Sequence, residues 1–277
     1  MNEGHRSAMV GMKGRPTVAE DIAVARDVLR AEYAGARVHV AHISSARAVD
    51  IVREAKKRGA RILSIVNLLA EYAGARVHVA HMSSARAVDI VRQAKARGVR
   101  VTAECTPQHL TLTDECVTLT DTSTKINPPL RSASDCDALL AGLKDGTIDA
   151  IVTDHSPHAE EEKDQEYMYA PSGFPGLETS LGIMLTDLYH AGKLDLPTIV
   201  SKMTYEPAKC FGLSCGTLAK GAAADVVVID PEKEWTVDAK KFYTRGTHSP
   251  FVGRKLKGKA VLTIVDGDVA MRDGIVE

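Results

Sequence analysis

AEYAGARVHVAHMSSARAVDIVRQAKARG, residues 70–98, writes out a second time the stretch at residues 31–59, AEYAGARVHVAHISSARAVDIVREAKKRG. Only Ile43/Met82, Glu54/Gln93 and Lys57/Ala96 differ, and the offset from His42 to His81 is 39 residues. Each copy reads as one strand followed by one helix. In VHVAH the valines and the last histidine fall on one face of a strand, with His39 or His78 on the other. Two serines then stand where a helix needs a side-chain acceptor, and a glycine stands where the helix ends. The offset is close to one strand-plus-helix unit of a β/α barrel, in which eight units take ~250 residues. Two copies are too few for a stacked solenoid, which needs about three.

Outward from the repeat the same alternation continues. Thr17-x-x-Glu20 predicts a capping box and a helix to about Tyr33, closed by Gly35. Strands are expected at 37–42, 61–66, 76–81, 99–104 and 149–154, and helices at 46–58, 67–73, 85–97, 136–145, 178–191 and 197–209. Strands alternating with helices indicate a parallel α/β sheet or barrel. After Leu213 the pattern changes. GTLAKGAAADVVVID and GKAVLTIVDGDVAMRDG read as short strands with tight turns, and Asp266-Gly267 is a hairpin signal. Residues 1–213 are therefore expected to form a β/α domain and residues 214–277 a small β element, with the boundary near 213–220.

The composition narrows the function classes. The chain has 277 residues, 44% hydrophobic and 26% charged, with a formal net charge of −1, an ordinary globular balance. A nucleic-acid partner would call for a basic excess, and the balance gives none. The basic stretch from Arg53 to Arg61 reads as a solvated helix end. There is no run of about 18 apolar residues and no apolar core of a signal peptide, so neither a membrane nor secretion is expected. Five cysteines without a C-x-x-C spacing fit free thiols in a reducing cytoplasm.

Three motifs can carry chemistry. Thr153-Asp154-His155-Ser156-Pro157-His158 follows the apolar run DAIV, so Asp154 closes a strand where a loop begins. In a β/α barrel that end is the catalytic face, and an acid there can bind a metal and accept a proton. The competing reading is that Asp154 caps a turn and that the histidines lie on the surface. The last histidine of VHVAH ends a strand in the same way. A neutral imidazole there suits Zn²⁺, and a hydrogen-bonded structural role fits the pattern as well. His39 and His78, on the opposite face, are expected to be structural. Asn127-Pro128-Pro129-Leu130-Arg131 is a stiff loop able to hold an amide against a ligand, or simply a loop. His109 and the cysteines are expected to be structural.

Together, MNEG, VHVAHISS, ECTPQHL, KINPPLR, VTDHSPH and EEKD resemble the bacterial class I dihydroorotases of the amidohydrolase superfamily, over nearly the whole chain apart from the extra 39 residues. The resemblance implies a partial TIM-like (β/α) barrel with a small β-sandwich remnant at residues 214–277. It implies two zinc ions, and hydrolysis of dihydroorotate to N-carbamoyl-L-aspartate or the reverse, a step of pyrimidine synthesis. It makes Asp154 a metal ligand and proton shuttle, and His81 a metal ligand, with His42 as the alternative. Asn127, His158, Ser172 and Gly173 match positions that hold the substrate. Allantoinases share the fold and the metal site. A third implied reading is a non-catalytic scaffold for aspartate transcarbamoylase.

The chain also departs from that pattern. The family has Phe-Gly where Ser172-Gly173 stands, and His where Gln108 stands. Its His-x-His, its bridging acid or carboxylated lysine, and the histidine of the strand before MNEG have no counterpart in these residues. The expectation is of an N-terminally truncated, duplicated chain with an incomplete metal site. Five strands against eight, and Val226–Ile229 and Val261–Val265 expected to lack partner strands, point to self-association. Between the copies, His81 is expected to take the site, because its separation of 73 residues from Asp154 carries every other motif uninterrupted. Residues 43–69 are then an added excursion.

Overall fold

The computed structural model describes residues 22–27, 29, 46–57 and 76–277. The expected strands at 37–42 and 61–66, the short helix at 67–73 and His42 lie outside these residues. The described residues group into two compact units, one made of those up to Leu119 with Asn127–Ile148, the other of Thr120–Ile126 with Asp149–Glu277. The expected boundary near 213–220 falls inside the second unit.

In the first unit, residues 22–27 and 29 are helical, as the capping box predicts. Helix α1 (Ala46–Lys57) is the helix of the first repeat copy. The second copy supplies strand β1 (Val77–Val79) and helix α2 (Ala85–Ala96). Ser84 caps α2, its Oγ accepting from the Ala87 N–H at 3.3 Å. The two helices bury equivalent positions, Val52 and Ala55 in α1, Val91 and Ala94 in α2. Strand β2 (Val101–Cys105) runs parallel to β1, with His78 opposite Thr102 and Val79 opposite Ala103. Helix α3 (Pro107–Thr111) follows directly, with Pro107 in its first turn, where a missing N–H costs nothing. Helix α4 (Ala133–Lys144) begins three residues earlier than expected, because Ser132 takes the cap position and Asp135 suits the positive end of the helix. It packs against α2 through Gly142, where a Cβ would stand 3.0 Å from Val88 Cγ1.

The second unit opens with the short strand β3 (Ala150–Ile151). Helix α5 (Glu160–Lys163) and then α6 (Leu177–Met184) follow, and α6 continues as a π-helical turn, Leu185–Tyr189. The stretch expected to be one helix at 197–209 is two, α7 (Leu196–Met203) and α8 (Tyr205–Phe211). Pro207 would clash with the carbonyl of Met203 in a continuous helix, so the chain breaks at Thr204 and restarts.

The C-terminal strands β4 (Val226–Thr236), β5 (Lys255–Val265), β6 (Asp268–Arg272) and β7 (Ile275–Val276) form one antiparallel meander. This corrects the expectation that Val226–Ile229 and Val261–Val265 lack partners: Val226 pairs with Ile264, Val227 with Thr263 and Val228 with Leu262. Asp266 and Gly267 take φ of 52° and 95°, the positive pair that a two-residue hairpin requires. Helix α6 and its π turn lie on this sheet. The Thr186 Oγ accepts from the Lys257 N–H at 2.8 Å, and Asp187 pairs with Arg254. No helix among the described residues is long and apolar enough to cross a membrane.

Gly182 sets how closely α6 approaches the sheet, since a Cβ there would lie 2.7 Å from the Trp235 ring and 3.1 Å from Leu256. Gly182→Val is expected to destabilise the second unit by about 1–3 kcal/mol, the usual cost of overpacking, read as a lowered urea midpoint.

Candidate active site

The first cluster is built on β1 and β2. The Glu104 side chain is buried, and its two oxygens each meet a histidine. His78 Nε2 stands 2.8 Å from Oε2, and His81 Nδ1 stands 3.1 Å from Oε1. His78 Nδ1 lies 2.8 Å from Thr102 Oγ1, so that ring is held at both nitrogens. Strict alternation would send His78 and His81 to opposite faces. It fails because the strand ends at Val79 and His81 takes a left-handed φ of 52°, which turns the chain toward the carboxylate. An ionised carboxylate only accepts, so the His81 Nδ1 that meets it carries a hydrogen.

His109 is buried one turn into α3. Its Nδ1 lies 2.8 Å from Thr106 Oγ1, and its Nε2–H donates to the Pro128 carbonyl at 2.9 Å. Desolvation lowers its pKa to about 4, against a smaller upward pull from the hydrogen bond to Pro128, with His81 and Arg131 adding to the lowering. His109 is therefore a neutral strut under the Asn127-Pro128-Pro129 loop, in agreement with the structural reading. Asn127 itself is exposed, at a cis peptide bond to Pro128.

The second cluster lies in the other unit. Asp154 follows β3 with φ 48°. Among the described residues only His81, Asp154, Asp266 and Asp273 have positive φ without being glycine, and the two last belong to hairpin turns. A left-handed φ at His or Asp costs of order 1 kcal/mol and recurs at functional sites. His155 Nδ1 accepts from the N–H groups of Gly176 and Leu177, each at 3.2 Å, and so anchors the start of α6. His158 Nε2–H donates to the Ser172 carbonyl at 3.1 Å. Gly173, at φ 129°, lies against Ser156, where a Cβ would be 2.6 Å from the Ser156 Cβ, so only glycine fits. Its N–H donates to the Lys125 carbonyl at 2.8 Å.

Sequence reasoning missed Lys163, the lysine of EEKD. It is almost fully buried, and its Nζ donates to the carbonyls of Pro171 (3.0 Å) and Gly173 (2.9 Å). Lys125 Nζ donates to the carbonyls of Tyr167 and Met168. With His158 on Ser172, three successive carbonyls at 171–173 are each held by a side chain. No local signal marks it, since a lysine beside three glutamates reads as a solvated helix end. Desolvation, and then the charge of Lys125, lower the Lys163 pKa to about 8, against a smaller opposing pull from Asp121.

Of the residues singled out in the sequence, His81 meets Glu104, Asn127 sits on the loop braced by His109, and His158 meets Ser172 next to Gly173. Asp154 stands at the end of β3, and His42 lies outside the described residues. Among the described residues no three His, Cys, Asp or Glu side chains are grouped to hold a metal ion. Zinc takes three or four protein ligands, so these donors by themselves do not fit it.

Two pH dependences follow. Between about 8 and the ordinary 10.5, the unfolded chain binds a proton at Lys163 that the folded chain does not. Stability should rise with pH across that window, on the order of 3 kcal/mol in all, and Lys163→Met should flatten the rise in urea midpoint. His109 acts at the acid end. Below its ordinary 6.5 the unfolded chain takes up the proton first, so stability should fall as pH drops from 6.5 toward 4. His109→Gln should remove that part of the acid slope.

Comparison with known proteins places these clusters in a family. Residues 2–270 match the amidohydrolase family. The chain is 47% identical over 276 residues to a dihydroorotase of Pelotomaculum thermopropionicum, covering 100% of this chain and 56% of that protein. It is 49% identical over 274 residues to a dihydroorotase of Geobacter sp. strain M21, covering 99% and 55%. The chain thus spans about half the length of the curated relatives it matches. Among solved structures, an L-hydantoinase (dihydropyrimidinase) from Arthrobacter aurescens superposes with a TM-score of 0.74 at 32% identity, over 94% of this chain and 56% of that one. Parallel β1 and β2 with helices following them, and the shared motifs, agree with an α/β barrel fold of that type, and this chain belongs to the amidohydrolase family.

Proposed function

We propose that this chain carries the substrate-holding and proton-transferring part of a cyclic-amide hydrolase of the dihydroorotase type, interconverting dihydroorotate and N-carbamoyl-L-aspartate. The observation that carries the reading is that His81 and Asp154, both marked out by the sequence, are the two non-glycine residues outside hairpin turns, among the described residues, held at positive φ. In this reading Asp154 accepts the proton from the attacking water and returns it to the ring nitrogen as the amide opens. Asn127, exposed on its braced loop, donates its amide hydrogens to the substrate. His158 and the Ser172-Gly173 backbone, stiffened by Lys163, flank the substrate carboxylate.

Zinc is the cofactor of this reading, with His81 and Asp154 as ligands. The described donors do not complete a site for it. That shortage favours a second reading, a non-catalytic partner of aspartate transcarbamoylase. Exposed apolar side chains on the meander, Val227, Val228, Val265 and Ile275, support a homo-oligomer, and five free cysteines support a reducing, cytoplasmic setting.

The purified chain should be incubated with zinc and separately with dihydroorotate, allantoin and hydantoin, and ring opening followed chromatographically. The expected result is turnover of dihydroorotate alone, lowered at least ~10²-fold by Asp154→Asn, the span expected when a general base is lost. Turnover of allantoin or hydantoin in its place would replace the substrate assignment. No turnover, together with a stable complex with aspartate transcarbamoylase, would establish the scaffold reading.

A further inference from the structure

The seat that holds the second repeat copy in the first unit consists of a few identifiable contacts. Val88 lies over the gap at Gly142. Asp135 Oδ1 accepts from the Ala85 N–H at 2.8 Å, Arg92 Nε donates to Asp145 at 2.9 Å, and Lys95 Nζ donates to the Gly146 carbonyl at 2.9 Å. The Met82 N–H donates to the Glu104 carbonyl at 2.9 Å, and the Glu104 carboxylate takes His78 and His81. Every side chain that the copy contributes recurs 39 residues earlier, as His39, His42, Val49, Arg53 and Lys56. Of the three differences, Gln93 and Ala96 are exposed in the seated copy. The third replaces buried Met82 by Ile43, a hydrophobic exchange of similar volume that cores tolerate.

We propose that this seat is a binding site for either copy, residues 31–59 of the same chain exchanging with residues 70–98, so that a minor arrangement coexists in which His42 faces Glu104 in place of His81. The seat scarcely distinguishes the two segments, since Met82 is the one buried position at which they differ. Connectivity does. With residues 70–98 seated, Gly98 leads directly into Val99 and β2. With residues 31–59 seated, residues 60–98 must close as a loop. Closure weight falls as about the 3/2 power of loop length, which lowers the second arrangement on the order of 100-fold. The occupant comes from the same chain because a tethered segment is present at an effective concentration in the mM range.

The test is independent of catalytic activity. Val88→Asp buries an unpartnered carboxylate in the seated copy, a penalty larger than the connectivity difference, and leaves Val49 intact. The reporter is a short bifunctional maleimide between Arg53→Cys and Asp145→Cys, with exposed Cys116 and Cys215 replaced by serine and the bond located by peptide mapping. Arg92→Cys with Asp145→Cys reports the seated copy, and Leu139→Asp, on the α4 side that both arrangements share, gives the loss expected when the unit fails. In the Val88→Asp background the 53–145 link should form within single chains. Val49→Asp with Val88→Asp should lower the urea midpoint by more than the two single losses added. The proposal is overturned if Val88→Asp is as damaging as Leu139→Asp with no 53–145 link, if the two losses are additive, or if the link forms only between chains.

Discussion

One buried carboxylate organises the first unit. Glu104 sits on β2 with too little exposure for water to solvate it, so its charge has to be met by the protein. Two imidazoles meet it, one from inside β1 and one from the left-handed residue that ends the strand. The same contact ties β1 to β2, places a hydrogen on His81 Nδ1 and sets the direction in which the chain leaves toward α2. Replacing either histidine would leave half a charge shell in a dry place, which is why the register of these strands and the orientation of His81 are determined together.

The second unit solves a different problem with a cation. Residues 164–175 form an irregular stretch rich in Pro and Gly, whose backbone carbonyls need donors. Lys163 and Lys125 reach under it and supply them, and His158 supplies another. Burying an ammonium among carbonyls is costly, as its lowered pKa records. A chain that accepts such a cost in a loop, rather than leaving the loop solvated, obtains a rigid wall beside Gly173, where the family resemblance sets the substrate. The proposed reaction uses rigidity of this kind, since positioning a ring for attack demands that its contacts stay still.

Much of the fold was legible because it follows from local chemistry. The strand and helix of the second copy, the Ser84 cap and the hairpin at Asp266-Gly267 are all decided by residues close in sequence. The departures have separate causes. Alternation predicts a strand through His81, but the strand stops two residues earlier and the backbone changes hand. Helical periodicity runs through 197–209, but the ring of Pro207 breaks it. The strands at 226–229 and 261–265 pair with each other, and partners more than thirty residues apart leave no mark on local pattern. Lys163 stands beside three glutamates, a pattern that reads as solvated.

By itself, the sequence determined the kinship, the two copies and the residue types placed at strand ends, since those depend only on which side chains stand at which spacing. The tertiary structure alone decided which charges are buried: Glu104 shared by His78 and His81, and Lys163 beneath the carbonyls of Pro171 and Gly173. Burial is set by what packs around a group, and the energy of a charge depends on that surrounding dielectric far more than on its neighbours along the chain.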